Sequence, residues 1–204
     1  MGSNFDFNST SVKVVAPIKL AHVVLRTNQL DKMGDFYVTF LGGEYALKAP
    51  GLYFITYDDE HHRIGLIGMP DLKKSDRSIC GLEHIAFTFA SMQELLLAYR
   101  QRKALGMEPV WCTNHGPTTS LYYNDPDGNM IETQFDNFDS AEAANEFMRG
   151  EAFGENPIGV DFDPEVYIRR LEKGESVEEL SRRVEIGRRG VEDVPFVKKQ
   201  MQEV

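Results

Sequence analysis

The stretch Thr119-Ser120-Leu121-Tyr122-Tyr123-Asn124-Asp125-Pro126-Asp127-Gly128-Asn129-Met130-Ile131-Glu132-Thr133-Gln134-Phe135 reads as strand, tight turn, strand. Its β-prone runs flank an Asp-Pro-Asp-Gly-Asn turn, in which Pro126 presets φ and Gly128 can take φ > 0. In the second strand Met130, Glu132 and Gln134 share one face and Ile131, Thr133 and Phe135 the other. Glu132 therefore lies among uncharged neighbours with no basic residue near in sequence. Such a carboxylate is either a solvated strand residue or one that takes its partner from elsewhere in the fold.

Working outward, the hairpin closes the second of two similar runs. Leu82 to Phe89 is a strand containing His84, and Ser91-Met92-Gln93-Glu94 is a capping box opening a helix to about Leu105, stopped by Gly106. Met107 to Cys112, Ser120 to Tyr123 and Met130 to Phe135 follow as strands. Earlier, Lys19 to Leu25 is a strand containing His22. Thr27 or Asn28 caps a helix through Leu41 with Leu30, Met33, Phe36, Tyr37 and Phe40 at helical spacing, and Gly42-Gly43 ends it. Tyr45 to Leu47, Leu52 to Tyr57 and Arg63 to Ile67 supply three more strands. The order β-α-β-β-β thus occurs twice, with His22 and His84 in register at an offset of 62 residues. The expected organisation is a flexible arm at 1–16, a first module at 17–69, a connector at 70–80, a second module at 81–137 and a helical extension at 138–204. Ala141 to Met148 and Glu165 to Lys173 are helical in that extension, and Pro157 to Pro164 is an extended link. Glu178 to Arg189 is charge-dense, and the chain frays past Arg189. With apolar residues spread thin, the extension should wrap the repeats or a second subunit.

Net charge −10 and a pI near 5.0 argue against nucleic acid or an anionic membrane as partner, leaving small molecules. Cys80 and Cys112 are too few for a disulfide framework and read as reduced and structural. No apolar run reaches the roughly 20 residues that span a bilayer. The polar N-terminus lacks a signal peptide's pattern, so a soluble, cytoplasmic protein is expected.

A lone strand histidine is most often packed or hydrogen-bonded, but two at repeat-equivalent positions point to a shared role. If the halves pack with approximate two-fold symmetry, first and last strands bring four slots to one centre: His22, His84, Glu132 and the first-half counterpart of Glu132, at about Gly65. Neither Gly65 nor Leu66 binds metal. Two imidazoles and one carboxylate with open positions suit non-haem Fe(II) and oxygen chemistry, although Mn(II), Ni(II) and Zn(II) accept similar ligands.

The paired modules, the His-Val-Val and His-Ile-Ala-Phe strands, and the Asp-Pro-Asp-Gly-Asn-Met-Ile-Glu ending resemble the vicinal oxygen chelate superfamily (glyoxalase, bleomycin resistance protein, dihydroxybiphenyl dioxygenase). The likeness covers roughly residues 17 to 137 and is nearest to type I extradiol ring-cleavage dioxygenases with one module pair. The resemblance implies an α+β fold of two βαβββ modules forming a metal-centred half-barrel, with the helical tail added, and a homodimer. It implies Fe(II), or Mn(II), on His22, His84 and Glu132, with a catechol and O₂ as substrates. His61-His62-Arg63-Ile64-Gly65-Leu66 resembles the family's stretch in which the second His, here His62, is the acid/base. Asn114-His115-Gly116 resembles its His-Gly beside the metal shell, and Tyr122, ten residues before Glu132, matches its substrate-contacting tyrosine. The segment from His115 to Tyr122 is about two residues shorter than the family pattern, and Pro117 begins it.

Each of these residues also has a plainer reading. His61 and His62 follow Asp58-Asp59-Glu60 and can be a solvated turn paired with acids, with alternation sending them to opposite faces. Tyr122 or Tyr123 can be a core aromatic, and His115 a loop residue. Trp111, Phe54, Met107 and the tail are candidates for the pocket lining. Two other functions remain open at this point. One is a glyoxalase- or epimerase-like isomerase, whose relatives use a fourth ligand or a carboxylate base where Gly65 stands. The other is a non-catalytic small-molecule-binding protein of the same fold.

Overall fold

In a computed structural model, residues 14–73 and 79–197 are described. Residues 1–13 of the expected arm, 74–78 of the connector and the end of the tail from 198 lie outside them. The chain forms two compact units, Met1–Pro70 and Asp71–Val204.

The first unit contains β1 (Val23–Thr27), α1 (Leu30–Leu41), β2 (Glu44–Ala49), β3 (Leu52–Thr56) and β4 (Ile64–Gly68). Its sheet has the order β1-β4-β3-β2, with β1 parallel to β4 and the other pairs antiparallel. The helical spacing of Met33, Tyr37 and Phe40 buries one stripe of α1, joined in the core by Ile55, Ile64 and Leu66. Gly34 lets the helix come close to the sheet, since a Cβ there would lie 2.5 Å from the Tyr45 hydroxyl. The cap differs from the expectation. Gln29, not Thr27 or Asn28, is the N-cap, because the Thr27 hydroxyl accepts the Gln29 N–H at 3.0 Å and holds the chain extended one residue longer. Gly42 ends the helix in the left-handed region.

The second unit repeats this plan with β5 (His84–Thr88), α2 (Met92–Ala104), β6 (Trp111–Asn114), β7 (Thr118–Asn124) and β8 (Met130–Asp136), ordered β5-β8-β7-β6. Ser91 caps α2 by accepting the Glu94 N–H at 3.1 Å. Two strands begin later than their apolar runs suggest. In the first, Arg63 takes the Leu20 and Ala21 carbonyls at 2.8 and 3.0 Å, so pairing starts at Val23 and His22 stands just before β1. In β6, Pro109 has no N–H to give, and pairing starts at Trp111 rather than Met107.

Register makes the repeat quantitative. Val24 faces Gly65 and Ala86 faces Glu132. Val24 and Ala86 differ by the same 62 residues as His22 and His84. Gly65 therefore occupies the slot of Glu132, as the sequence suggested.

The extension belongs to the second unit and adds α3 (Ala141–Arg149), α4 (Glu151–Glu155), β9 (Val160–Asp161), α5 (Pro164–Glu172) and α6 (Val177–Ser181). The link expected at 157–164 contains β9, which pairs with the free edge of β6. Gly159, at φ +101°, permits that approach, since a Cβ would lie 2.2 Å from the Asn114 carbonyl. Arg100 and Lys103 of α2 pair with Glu165 of α5 at 3.2 and 3.1 Å, and Asn114 donates to the Ser181 carbonyl at 2.9 Å. The tail thus wraps its own module. Both cysteines are free: Cys112 lies in β6, where burial pushes its thiol up to about 12, whereas Cys80 is exposed and carries no core role. No described helix is long and apolar enough to cross a membrane.

Candidate metal centre and substrate cavity

The β7–β8 turn is built by Asp125, whose side chain accepts the N–H groups of Asp127 and Asn129 at 2.9 and 2.8 Å, with Gly128 at φ +90°. This fixes the hairpin register, in which Tyr122 stands opposite Glu132. The partner that the sequence demanded for Glu132 is His84, the first residue of β5. Its Nε2 lies 3.0 Å from Glu132 Oε2, and Glu132 is only 5% exposed. Burial pushes this carboxyl up, but hydrogen bonds from His84 and Ser120 and the neighbouring imidazoles outweigh it, so the group stays ionised. Two ligands at roughly 2.1 Å from one ion and 90° apart are about 3.0 Å from each other. The observed spacing therefore fits a shared divalent cation, and a desolvated carboxylate beside an imidazole is a donor set that one stabilises.

His115 follows β6 and is held on both sides. Its Nδ1 lies 2.6 Å from the Ile158 carbonyl, which can only accept, so the ring carries its proton there. Burial lowers its pKa, leaving the ring neutral and Nε2 an acceptor. The Tyr122 hydroxyl, 2.8 Å away, donates to it. Tyr122 is stacked on Trp111 at 4.8 Å and meets His84 edge-on at 5.6 Å. Its pKa is raised by burial first and by Glu132 next, so the phenol keeps its proton. Tyr123 points to the opposite face and is core, as alternation requires. These side chains border a cavity of about 320 Å³ that also takes in Glu83, Trp111, Val194 and Phe196. Trp111 is thus the pocket aromatic among the candidates. Phe54 packs on His62 instead, and Met107 is not part of the lining.

In the first unit His22, His61 and His62 gather, with one ring nitrogen from each within 4.8 Å of the others. His62 is sandwiched between His22 and Phe54, at 4.2 Å from each. It is 6% exposed, its Nδ1 has no hydrogen-bond partner among the described residues, and burial, then His22 and His61, lower its pKa. His61 is exposed and pairs with Glu60 at 2.6 Å, so the solvated-turn reading holds for His61 and fails for His62. The turn is pinned by Arg63, a residue whose part the sequence did not disclose. Its guanidinium grips Asp58 at 2.9–3.1 Å while holding the carbonyls ahead of His22. His22 with His62, and His84 with Glu132, Tyr122 and His115, therefore form two groups, one in each unit. Gly65 leaves the fourth slot without a ligand or base, and a Cβ there would press on Val24 at 3.1 Å.

Comparison with known proteins agrees. Residues 19–133 match the Glyoxalase/Bleomycin resistance protein/Dioxygenase superfamily. The chain is 42% identical over 169 residues to biphenyl-2,3-diol 1,2-dioxygenase 2 of Rhodococcus globerulus, covering 82% of this chain and 89% of that protein. It is 41% identical to biphenyl-2,3-diol 1,2-dioxygenase 3 of the same organism, over 81% and 88%. Among solved structures, a glyoxalase/dioxygenase from Nostoc punctiforme superposes with a TM-score of 0.50 at 23% identity, over 62% of this chain and 99% of that one, which supports the fold. The chain belongs to the Glyoxalase/Bleomycin resistance protein/Dioxygenase superfamily, within its metal-dependent extradiol ring-cleaving dioxygenases.

Proposed function

We propose that the chain is an Fe(II) enzyme that opens a catechol ring beside its two hydroxyls, with biphenyl-2,3-diol as the first substrate to try. The observation that carries this reading is the pairing of His84 with the buried Glu132 at 3.0 Å, beside the Tyr122–His115 hydrogen bond in the wall of the same cavity as His84. His22, His84 and Glu132 hold the ion in this proposal, by the repeat equivalence of the two histidines. When bound, Fe(II) supplies Lewis acidity toward both substrate oxygens and a route for electrons to O₂.

The chain's own residues do the rest. Tyr122 has one proton and two acceptors in reach, Glu132 and His115 Nε2. The phenol donates this proton in a hydrogen bond to His115 Nε2. The phenol oxygen then presents lone pairs to the cavity and accepts the hydrogen bond of a substrate hydroxyl. Ile158 keeps His115 in the tautomer this requires. His62, uncharged between Phe54 and His22, takes a substrate proton and later returns it to the departing oxygen. Both atoms of O₂ enter the product, so no external reductant is consumed. The protein acts as a homodimer in this proposal.

The test is anaerobic loading with Fe(II), followed by air-saturated buffer and a set of catechols that includes biphenyl-2,3-diol. Oxygen uptake equal to the diol consumed, with a coloured ring-opened product, is expected. No uptake with any diol by metal-loaded protein refutes the reading.

A further inference from the structure

The cavity beside Tyr122 is lined by two kinds of side chain: the polar Glu83, His84, His115 and Tyr122, and the apolar or aromatic Trp111, Ile158, Val191, Val194, Phe196 and Val197. No lysine or arginine lines it among the described residues. Five of the apolar groups come from the tail, outside the two repeats, and a link through Asp161 and Arg189 ties that tail to Trp111. Trp111 Nε1 donates to Asp161 Oδ1 at 2.7 Å, and Arg189 grips both oxygens of that carboxylate at 2.7 and 2.9 Å while donating to the Gly159 carbonyl at 3.0 Å. Arg189 is two residues before the segment that closes the cavity. Its guanidinium is paired with Asp161 and is not part of the cavity lining. Beyond it, Val194 is only 6% exposed, packed with Trp111, Tyr122 and Met130, and Phe196 meets the Trp111 ring edge-on at 5.8 Å.

We propose that this wall selects catechols carrying an uncharged, apolar ring substituent and rejects those carrying a carboxylate. Phe196 and Trp111 are its specificity-determining residues, and Asp161 and Arg189 its positioning residues. The inference rests on the ring-cleaving reading and adds to it which residues set the choice. An aryl group moved from water into such a wall gains about ten- to a hundredfold in binding. A carboxylate in the same place loses its hydration and finds no cation among the lining residues, which include the acidic Glu83.

Biphenyl-2,3-diol, catechol and 2,3-dihydroxybenzoate are the probes. The full-length Fe(II)-loaded protein should prefer them in that order by kcat/KM. In Phe196→Ala the ratio of biphenyl-2,3-diol to catechol should fall about tenfold, mostly through KM for the larger diol. Arg189→Gln should lower the same ratio, and Arg189→Lys should recover part of it. Trp111 is the single tryptophan of the chain, so its emission reports binding without turnover. Under anaerobic conditions biphenyl-2,3-diol should quench it saturably, and about tenfold more weakly in Phe196→Ala. An unchanged ratio and unchanged quenching in Phe196→Ala, or 2,3-dihydroxybenzoate bound as tightly as biphenyl-2,3-diol, overturns the proposal while leaving ring cleavage intact. Saturable quenching that Phe196→Ala weakens, in a protein that turns over no diol, sustains the wall and refutes the reaction instead.

Discussion

The hydrogen bond between Tyr122 and His115 can be measured as a coupling energy. Tyr122→Phe keeps the ring stacked on Trp111 at 4.8 Å and deletes only the donor to His115 Nε2, 2.8 Å away. Losing one such bond costs about 0.5–1.5 kcal/mol. His115→Ala removes the same bond and also strips the half-buried Ile158 carbonyl of its donor at 2.6 Å, an added loss at the low end of about 1–3 kcal/mol. The phenol can then donate its hydrogen bond to Glu132 instead, which softens that loss. In the double variant the Tyr–His bond can be lost only once, so the sum of the single losses exceeds the measured total by about 1 kcal/mol. Urea unfolding of all four proteins, with chelator present so that metal binding does not add to stability, gives the cycle. Thermal midpoints provide a check, at about 2–4 °C per kcal/mol for a chain of this size. Additivity within about 0.3 kcal/mol refutes the bond, and with it the assignment of the phenol oxygen as an acceptor toward substrate.

Glu132→Gln keeps an oxygen beside His84 but removes the charge, so after Fe(II) loading and dialysis the variant should hold less than about a tenth of the wild-type iron. Wild-type iron content counts against Glu132 as a ligand. His62→Asn should retain iron while its turnover falls by about 10²–10⁴, and full activity removes the acid/base role. Gly116 has φ +101°, and a Cβ there would lie 2.2 Å from the Phe147 ring, so Gly116→Ala should cost more than about 1 kcal/mol and shift the neighbouring His115; an unchanged thermal midpoint contradicts this. Lys19, then His61, hold the Glu60 carboxyl down to about 2. Because the folded value lies below the unfolded one of roughly 4.3, this group stabilises the fold above that pH and loses its effect as pH falls toward 2. Glu60→Gln should therefore flatten the stability curve within that window, and an identical slope in both proteins rejects the pairing.

Much of this was legible because local rules and the fold agree. Glycine and proline punctuation and helical spacing give both β-α-β-β-β runs, and the face pattern of the hairpin calls for a partner that His84 supplies. The strand starts at Lys19 and Met107 misled, because groups outside local periodicity decide them: the Arg63 guanidinium takes two carbonyls, and Pro109 has no N–H. The link among Trp111, Asp161 and Arg189 was invisible for the same reason. β9 is two residues long, too short to show a period, and its partners are far away in sequence. The division of labour between the repeats, by contrast, follows from register alone. Phe54 faces Gly65 in the first sheet just as Tyr122 faces Glu132 in the second. At equivalent places one unit carries a phenyl ring and a hydrogen, the other a phenol and a carboxylate. In the first unit His62 stacks on that phenyl ring, whereas in the second Tyr122 and Glu132 bring a hydroxyl and a carboxylate to the matching register. Two matched histidines with a single carboxylate are the ligand count of the proposed Fe(II) reading, in which the ion keeps positions for a chelating diol and O₂.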